Sequence, residues 1–218
     1  MMNEKEILEL VKNYVKNVCE NDCTGHDWYH IQRVYNNAIL INQKECANEF
    51  VVEMIVILHD LYDHKFYKGD TEQKIKELFK KLNISKYMDL NDINNIAYSS
   101  ANLGFASNVT GKKELSKEGQ IAQDADRLDG MGAMGISRTF TYSGNKKTPI
   151  YIPGEVQEVE PEEYQLNGSK TAIGHFYDKL LKMKDLMNTE TAKNLAEHRH
   201  KVTENFLQEF LDEWNGIK

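Results

Sequence analysis

A chain of 218 residues is long enough to bury a sizeable core without disulfides or structural metals. With 27 basic against 34 acidic residues its formal charge is -7, which argues against a broad electropositive surface for duplex nucleic acid and leaves room for a local basic pocket holding a small phosphate ester. Cys19, Cys23 and Cys46, odd in number and irregularly spaced with no secretory leader before them, point to reduced thiols in a cytoplasm rather than to a disulfide framework or a zinc site.

The chain reads as all-α and as one domain over residues 1–218. In "EKEILELVKNYVKNV" Ile7, Leu8, Leu10, Val11, Tyr14, Val15 and Val18 fall on one helical stripe, and the same period runs through "HIQRVYNNAILINQ", "FVVEMIVILHDLY" and "EQKIKELFKKL". At least four helices therefore precede residue 85. The longest uninterrupted apolar run, Met54 to Leu58, falls far short of the roughly 20 residues of a membrane span. A fifth, short helix is expected over about Leu90–Ala101, entered through Asn91 or Asp92.

After a Gly/Ser/Asn-rich stretch, "SKEGQIAQDADRLDGMGAMGISRTF" resumes as a helix whose glycines at 130, 132 and 135 permit a close approach to the backbone. The three prolines, at 149, 153 and 161, all lie in one segment, and residues 144–168 read as an inserted irregular loop with a small hairpin around "TPIYIP" as one option. Two long helices are expected to close the chain, "SKTAIGHFYDKLLKMKDLM" and "TETAKNLAEHRHKVTENFLQEFLDEW", the second capped by Thr189 or Thr191.

Three stretches carry chemistry. In "HDWYHIQRV" His26, His30 and Arg33 are spaced four and three apart, so on a helix they share a face; an exposed helix start with incidental histidines would look the same. His59 and Asp60 follow the most apolar run of the chain, where an unpartnered charge is costly, so they need a metal or a salt-bridge network, for example with Arg33. "DADRLDGMGAMGISR" packs Asp124, Asp126 and Asp129 within six positions, a repulsion that a cation, or Arg127 and Arg138, would relieve.

The histidine of "HIQRV", the downstream "HD" and the aspartate of "DADRL" resemble the H...HD...D signature of the HD-domain metal-dependent phosphohydrolases. "QDADRLDGMGAMGISR" and "HFYDKLLKMKDLMNTETAK" look like its small bacterial single-domain branch, and the likeness runs from about residue 20 to 216. The resemblance implies a compact helical bundle with an inserted loop. It also implies that one divalent metal, Mn²⁺ or Mg²⁺ with Fe²⁺ as a third option, is bound by His30, His59, Asp60 and Asp126, with Asp124 as the fallback for Asp126. The implied reaction is hydrolysis of nucleoside triphosphates or related phosphate anhydrides by metal-activated water. A 5'-nucleotidase or cyclic-nucleotide phosphodiesterase is the alternative within the class, and a non-catalytic nucleotide sensor the alternative outside it.

By the same resemblance Asp63 is the candidate acid/base, against a surface pairing with Lys65, while His64 is expected to be exposed. Arg33, one turn from His30, is the leading partner for phosphate charge, joined as candidate substrate-binding residues by Lys65, Arg138, His175, Lys179 and Lys184. Lys179 and Lys182 or Lys184 can share a helix face with His175, although lysines on a terminal helix are commonly solvated; Arg127 reads as a structural ion-pair partner. The expected ligand is a small nucleotide or phosphate compound, with no duplex nucleic acid and no membrane, and a homodimer stands among the oligomeric states left open.

Overall fold

The structure, a computed structural model, describes residues 2–19, 27–62, 69–104, 113–154 and 169–218. Among these residues it is all-helical, without a strand: α1 (Glu4–Cys19), α2 (Trp28–Glu45), α3 (Glu49–Leu58), α4 (Thr71–Lys81), α5 (Leu90–Asn102), α6 (Lys117–Asp129), α7 (Gly132–Asn145), α8 (Ala172–Asp178) and α9 (Glu190–Trp214), with 3₁₀ segments at Ser85–Tyr87 and Leu180–Leu186. The backbone falls into two compact units, Met1–Ala125 and Asp126–Lys218, the division lying within α6.

In the first unit α3 is the hub, packed against α1, α2 and α5. Its composition requires this: every residue from Phe50 to Leu58 except Glu53 is buried, so no face of the helix can be given to water. Around it α1 turns inward Ile7, Leu8, Val11 and Val15, and α2 turns inward His30, Ile31, Val34, Ala38 and Ile41. Short side chains set the helix starts. The carboxylate of Asp27 accepts from the His30 N–H at 2.8 Å, the Asn48 side chain accepts from the Val51 N–H, and Asp70 and Asp89 cap α4 and α5. The fifth helix thus begins at Leu90 as its pattern suggests, but its cap is Asp89 and not Asn91 or Asp92.

The second unit is organised by α9. Phe206, Phe210 and Trp214, four residues apart, form one stripe in which Phe206 stacks on Phe210 and Phe210 on Trp214, and Phe206 also stacks on the buried Phe176 of α8 at 5.7 Å. Ile136, Ile173, Leu180 and Leu207 complete this core.

Three expectations are corrected here. The helix anticipated over residues 116–140 is two helices, because the chain turns at Gly130–Met131 and Gly132 adopts a left-handed φ of 61°. The close approach its glycines permit is made by the protein itself: a Cβ on Gly135 would collide with the Gly130 carbonyl, and a Cβ on Gly132 would press on the Arg199 side chain at 3.2 Å. "SKTAIGHFYDKLLKMKDLM" is not one long helix but the seven-residue α8 followed by a 3₁₀ segment, since the backbone at Lys179 departs from helical values (φ -132°, ψ -58°).

The loop expected from residue 144 begins after Asn145, and its described part, 146–154, forms no hairpin. Instead of pairing with a strand, the carbonyls of Pro149 and Ile150 accept from the first-turn N–H groups of Ala172 and Ile173, and Tyr151 packs edge-on against Phe210 and Trp214. Residues 155–168 of that loop lie outside the described residues.

The tight turn gives a stability test. Gly135→Ala should lower the unfolding free energy by about 3 kcal/mol, as overpacking against backbone does, read as a fall in the urea midpoint; an unchanged midpoint would show that the Gly130–Gly135 contact is not rigid.

Candidate metal centre

Two helix ends in the first unit meet at His30, His59 and Asp60. His30 is the third residue of α2, its backbone N–H held by the Asp27 cap, and its side chain is wholly buried. His59 is the C-cap residue of α3, and Asp60 lies in the turn that follows, where Leu61 N–H reaches back to the Leu58 carbonyl. Because the last turn of α3, residues 55–58, is wholly buried, its end is a fixed platform, and the adjacent pair on it can converge on one point only beyond that turn.

The geometry is a triangle. His30 Nε2 lies 3.3 Å from His59 Nε2 and 3.2 Å from Asp60 Oδ2, and His59 Nε2 lies 3.3 Å from the same Oδ2. The tautomer of His59 is dictated by its surroundings: Nδ1 stands 2.6 Å from the Val56 carbonyl, which can only accept, so Nδ1 carries the proton and Nε2 presents a lone pair. A hydrogen bond on the far nitrogen is how proteins orient a metal-binding imidazole. Two ring nitrogens and a carboxylate oxygen thus meet at one point, a grouping that a shared cation would suit.

The spacing suits a metal. Adjacent ligands of an octahedral cation with bonds of 2.0–2.2 Å are about 3 Å apart, and those of a tetrahedral one with 2.0 Å bonds are about 3.3 Å apart. The observed 3.2–3.3 Å edges match either figure to within about 0.3 Å. With two neutral imidazoles and one carboxylate, the three donors leave a divalent ion with net positive charge towards an anionic ligand.

The other sequence candidates are distributed as follows. Arg33, one turn from His30, is half-buried and lines an open groove of about 560 Å³ with Lys12, Trp28, Tyr29 and Gln32. On α6, Asp124 is fully buried in the first unit, and Asp126, half-buried, begins the second. Arg138 is paired with the buried Asp129 at 2.8 Å, and Lys184 faces Glu197 at 3.4 Å. Arg127, expected to make an ion pair, is buried and donates to the Leu186 carbonyl. Burial, with a smaller push from Lys179, lowers the His175 imidazole to about 4, so near neutrality it offers a hydrogen-bonding ring and no positive charge. His26, Asp63, His64, Lys65 and Cys23 lie outside the described residues.

Two further hydrogen-bonding groups of the first unit escape motif reading. One is the Val56 carbonyl, a backbone atom with no sequence signature. The other is Asn37, two turns along α2 from His30, for which the seven-residue spacing was an available signal.

No family model matches the chain. YpgQ of Bacillus subtilis is 34% identical over 218 residues, covering 99% of this chain and 98% of YpgQ. A Lactobacillus plantarum protein of known structure is 35% identical with a TM-score of 0.81, over 99% of this chain and 100% of that one. A HD-superfamily hydrolase from Bacillus thuringiensis is 37% identical with a TM-score of 0.72, over 98% and 99%. The chain therefore belongs to the HD superfamily of hydrolases, in the branch of small helical bacterial proteins. YpgQ has also been crystallised in complex with ADP, and that structure matches this chain at 32% identity and a TM-score of 0.73 over 97% of this chain and 96% of that one. No described helix is long and apolar enough to cross a membrane.

Two measurements follow from the site. His59→Ala and Asp60→Ala should each abolish stoichiometric metal in protein purified with Mn²⁺, read by elemental analysis; full occupancy in Asp60→Ala would overturn its assignment. For His175 the folded value is depressed, so below the ordinary histidine range the unfolded chain takes up a proton that the fold refuses. Its contribution to stability is thus present above about pH 6.5 and is lost as the pH falls towards 4. Urea midpoints across that window should fall less steeply in His175→Gln than in the wild type, and parallel slopes would refute the burial argument.

Proposed function

We propose that this protein is a divalent-metal-dependent phosphohydrolase acting on nucleotides, with the anhydride bonds of nucleoside triphosphates or related compounds as its targets. The observation that carries the proposal is the triangle of His30, His59 and Asp60, which gathers three donors at metal-ligand spacing on the end of a buried helix. The family supplies the reaction class, and the ADP complex of YpgQ supports a nucleotide as the ligand.

In this reading His30, His59 and Asp60 hold the cation together with an aspartate of α6, Asp126 by the resemblance. A set of imidazoles and carboxylates suits Mn²⁺ or Mg²⁺, and equally Fe²⁺. When bound, such an ion acidifies water and polarises a phosphoryl oxygen. The chain's own groups do the rest. His59, locked by Val56, keeps its Nε2 lone pair directed into the site. Arg33 neutralises charge on the phosphates, and Asp63 moves the proton between water and leaving group. Lys65, Arg138, His175, Lys179 and Lys184 are the reserve of substrate contacts, Arg138 having to loosen its pairing with Asp129 to serve. The compartment is the cytoplasm, where nucleotides and reduced thiols coexist.

Pure protein incubated with each nucleotide and Mn²⁺, Mg²⁺ or Fe²⁺, with phosphate and pyrophosphate detected separately, should release pyrophosphate and a monophosphate from a triphosphate. Failure to cleave any nucleotide with any of the three ions would end the hydrolase reading. Arg33→Ala should retain the metal and lose about 100-fold in turnover, the scale of one removed electrostatic donor; loss of metal with the activity would reassign Arg33 to the metal shell.

A further inference from the structure

A metal site assembled from separate helices requires that its last ligand be delivered at a fixed depth. The three donors of the triangle come from the start of α2 and the end of α3, and neither helix carries the α6 aspartates. Something in the first unit must therefore hold α6 in register with α2. The hydrogen bonds of that unit supply one such contact.

Asn37 follows His30 by seven residues, two helical turns, and so stands on the same stripe of α2 to within about 20°. It is a buried amide, 9% exposed, with Val34, Ala38 and Ile41 buried around it on the helix. Burying an amide there is unfavourable unless it does something an apolar residue would not. Its Nδ2 donates to the carbonyl of Ala125 on α6 at 3.1 Å. Ala125 is the middle residue of "DAD", so the bond grips the backbone between Asp124 and Asp126. A second buried amide works beside it: Gln123, 2% exposed, donates through Nε2 to the Leu103 carbonyl at the end of α5. Positions 123 and 125 of α6 are thus fastened to the end of α5 and to the stripe of α2 that carries His30.

We infer that Asn37 is a positioning residue for the metal centre: through its hydrogen bond to the Ala125 carbonyl it sets the register of the α6 aspartate that completes the ligand set begun by His30, His59 and Asp60. The inference rests on the metal reading above. Asn37 touches neither metal nor substrate in this role; it acts through the aspartate.

The test is Mn²⁺ binding to apo-protein, with free Mn²⁺ followed by electron paramagnetic resonance, so no turnover is involved. Asn37→Leu keeps the shape and removes the donor, and it should weaken Mn²⁺ binding about 10- to 100-fold, as loss of an outer partner of a metal ligand does. Asn42→Leu is the control, since Asn42 makes its two hydrogen bonds to Ala47 at the opposite end of the same helix; it should change the affinity by no more than about twofold. Combining Asn37→Leu with Asp126→Asn, and separately with Asp124→Asn, completes two cycles. With the aspartate that ligates, the Asn37 substitution should cost no more than about a further twofold, because the ligand it positions is already gone. Additive losses with both aspartates, or an affinity in Asn37→Leu within twofold of wild type, would overturn the inference. Should Asn37→Leu fail to fold, Asn37→Ser is read by the same criteria. A wild type that binds no Mn²⁺ would remove the metal reading itself, whereas a wild type that binds it with unaffected Asn37 variants would refute the positioning role alone.

Discussion

The hydrogen bond from His59 Nδ1 to the Val56 carbonyl is the interaction on which the candidate site depends. It is short, 2.6 Å, and it lies at the end of a helix that nothing can tilt towards water. Because the carbonyl can only accept, the bond fixes both the ring orientation and the proton, leaving Nε2 as a donor of electrons. The neighbouring His30 Nε2 and Asp60 Oδ2 then stand within about 3.3 Å of it, a spacing that ligands of one cation share.

Rigidity has to be provided from outside the site, because three donors within one bond length of a metal tolerate little displacement. The first unit provides it through α3, whose apolar residues are gripped by α1, α2 and α5. Each neighbour brings a further restraint near the chemistry. The Asp27 cap fixes the backbone of His30, the Ser100 hydroxyl donates to the Ile55 carbonyl, and Asn37 reaches Ala125.

Electrostatics in the second unit follows a different logic. Asp129 is buried but matched by Arg138, and the His175 imidazole is kept neutral by its surroundings. Asp129 thus has its counter-charge within its own unit, whereas in the first unit two imidazoles and a carboxylate converge on one point.

The helical class and the first four helices were legible in the sequence alone, and the three converging donors through their resemblance to a family signature. Those features are local: an apolar period of 3.6 residues and an "HD" directly after an unbroken apolar run are written in neighbouring residues. What it could not determine depends on contacts between distant positions. The break at Gly130–Met131, the 3₁₀ segment after α8 and the use of residues 149–151 to meet the start of α8 all arise where local helix propensity is outweighed by packing of Gly135 on Gly130 and of Tyr151 on Phe210 and Trp214. The tautomer of His59 and the reach of Asn37 to Ala125 were likewise decided only by the tertiary structure, because each bond ends on a backbone carbonyl, which carries no residue identity for a motif to show.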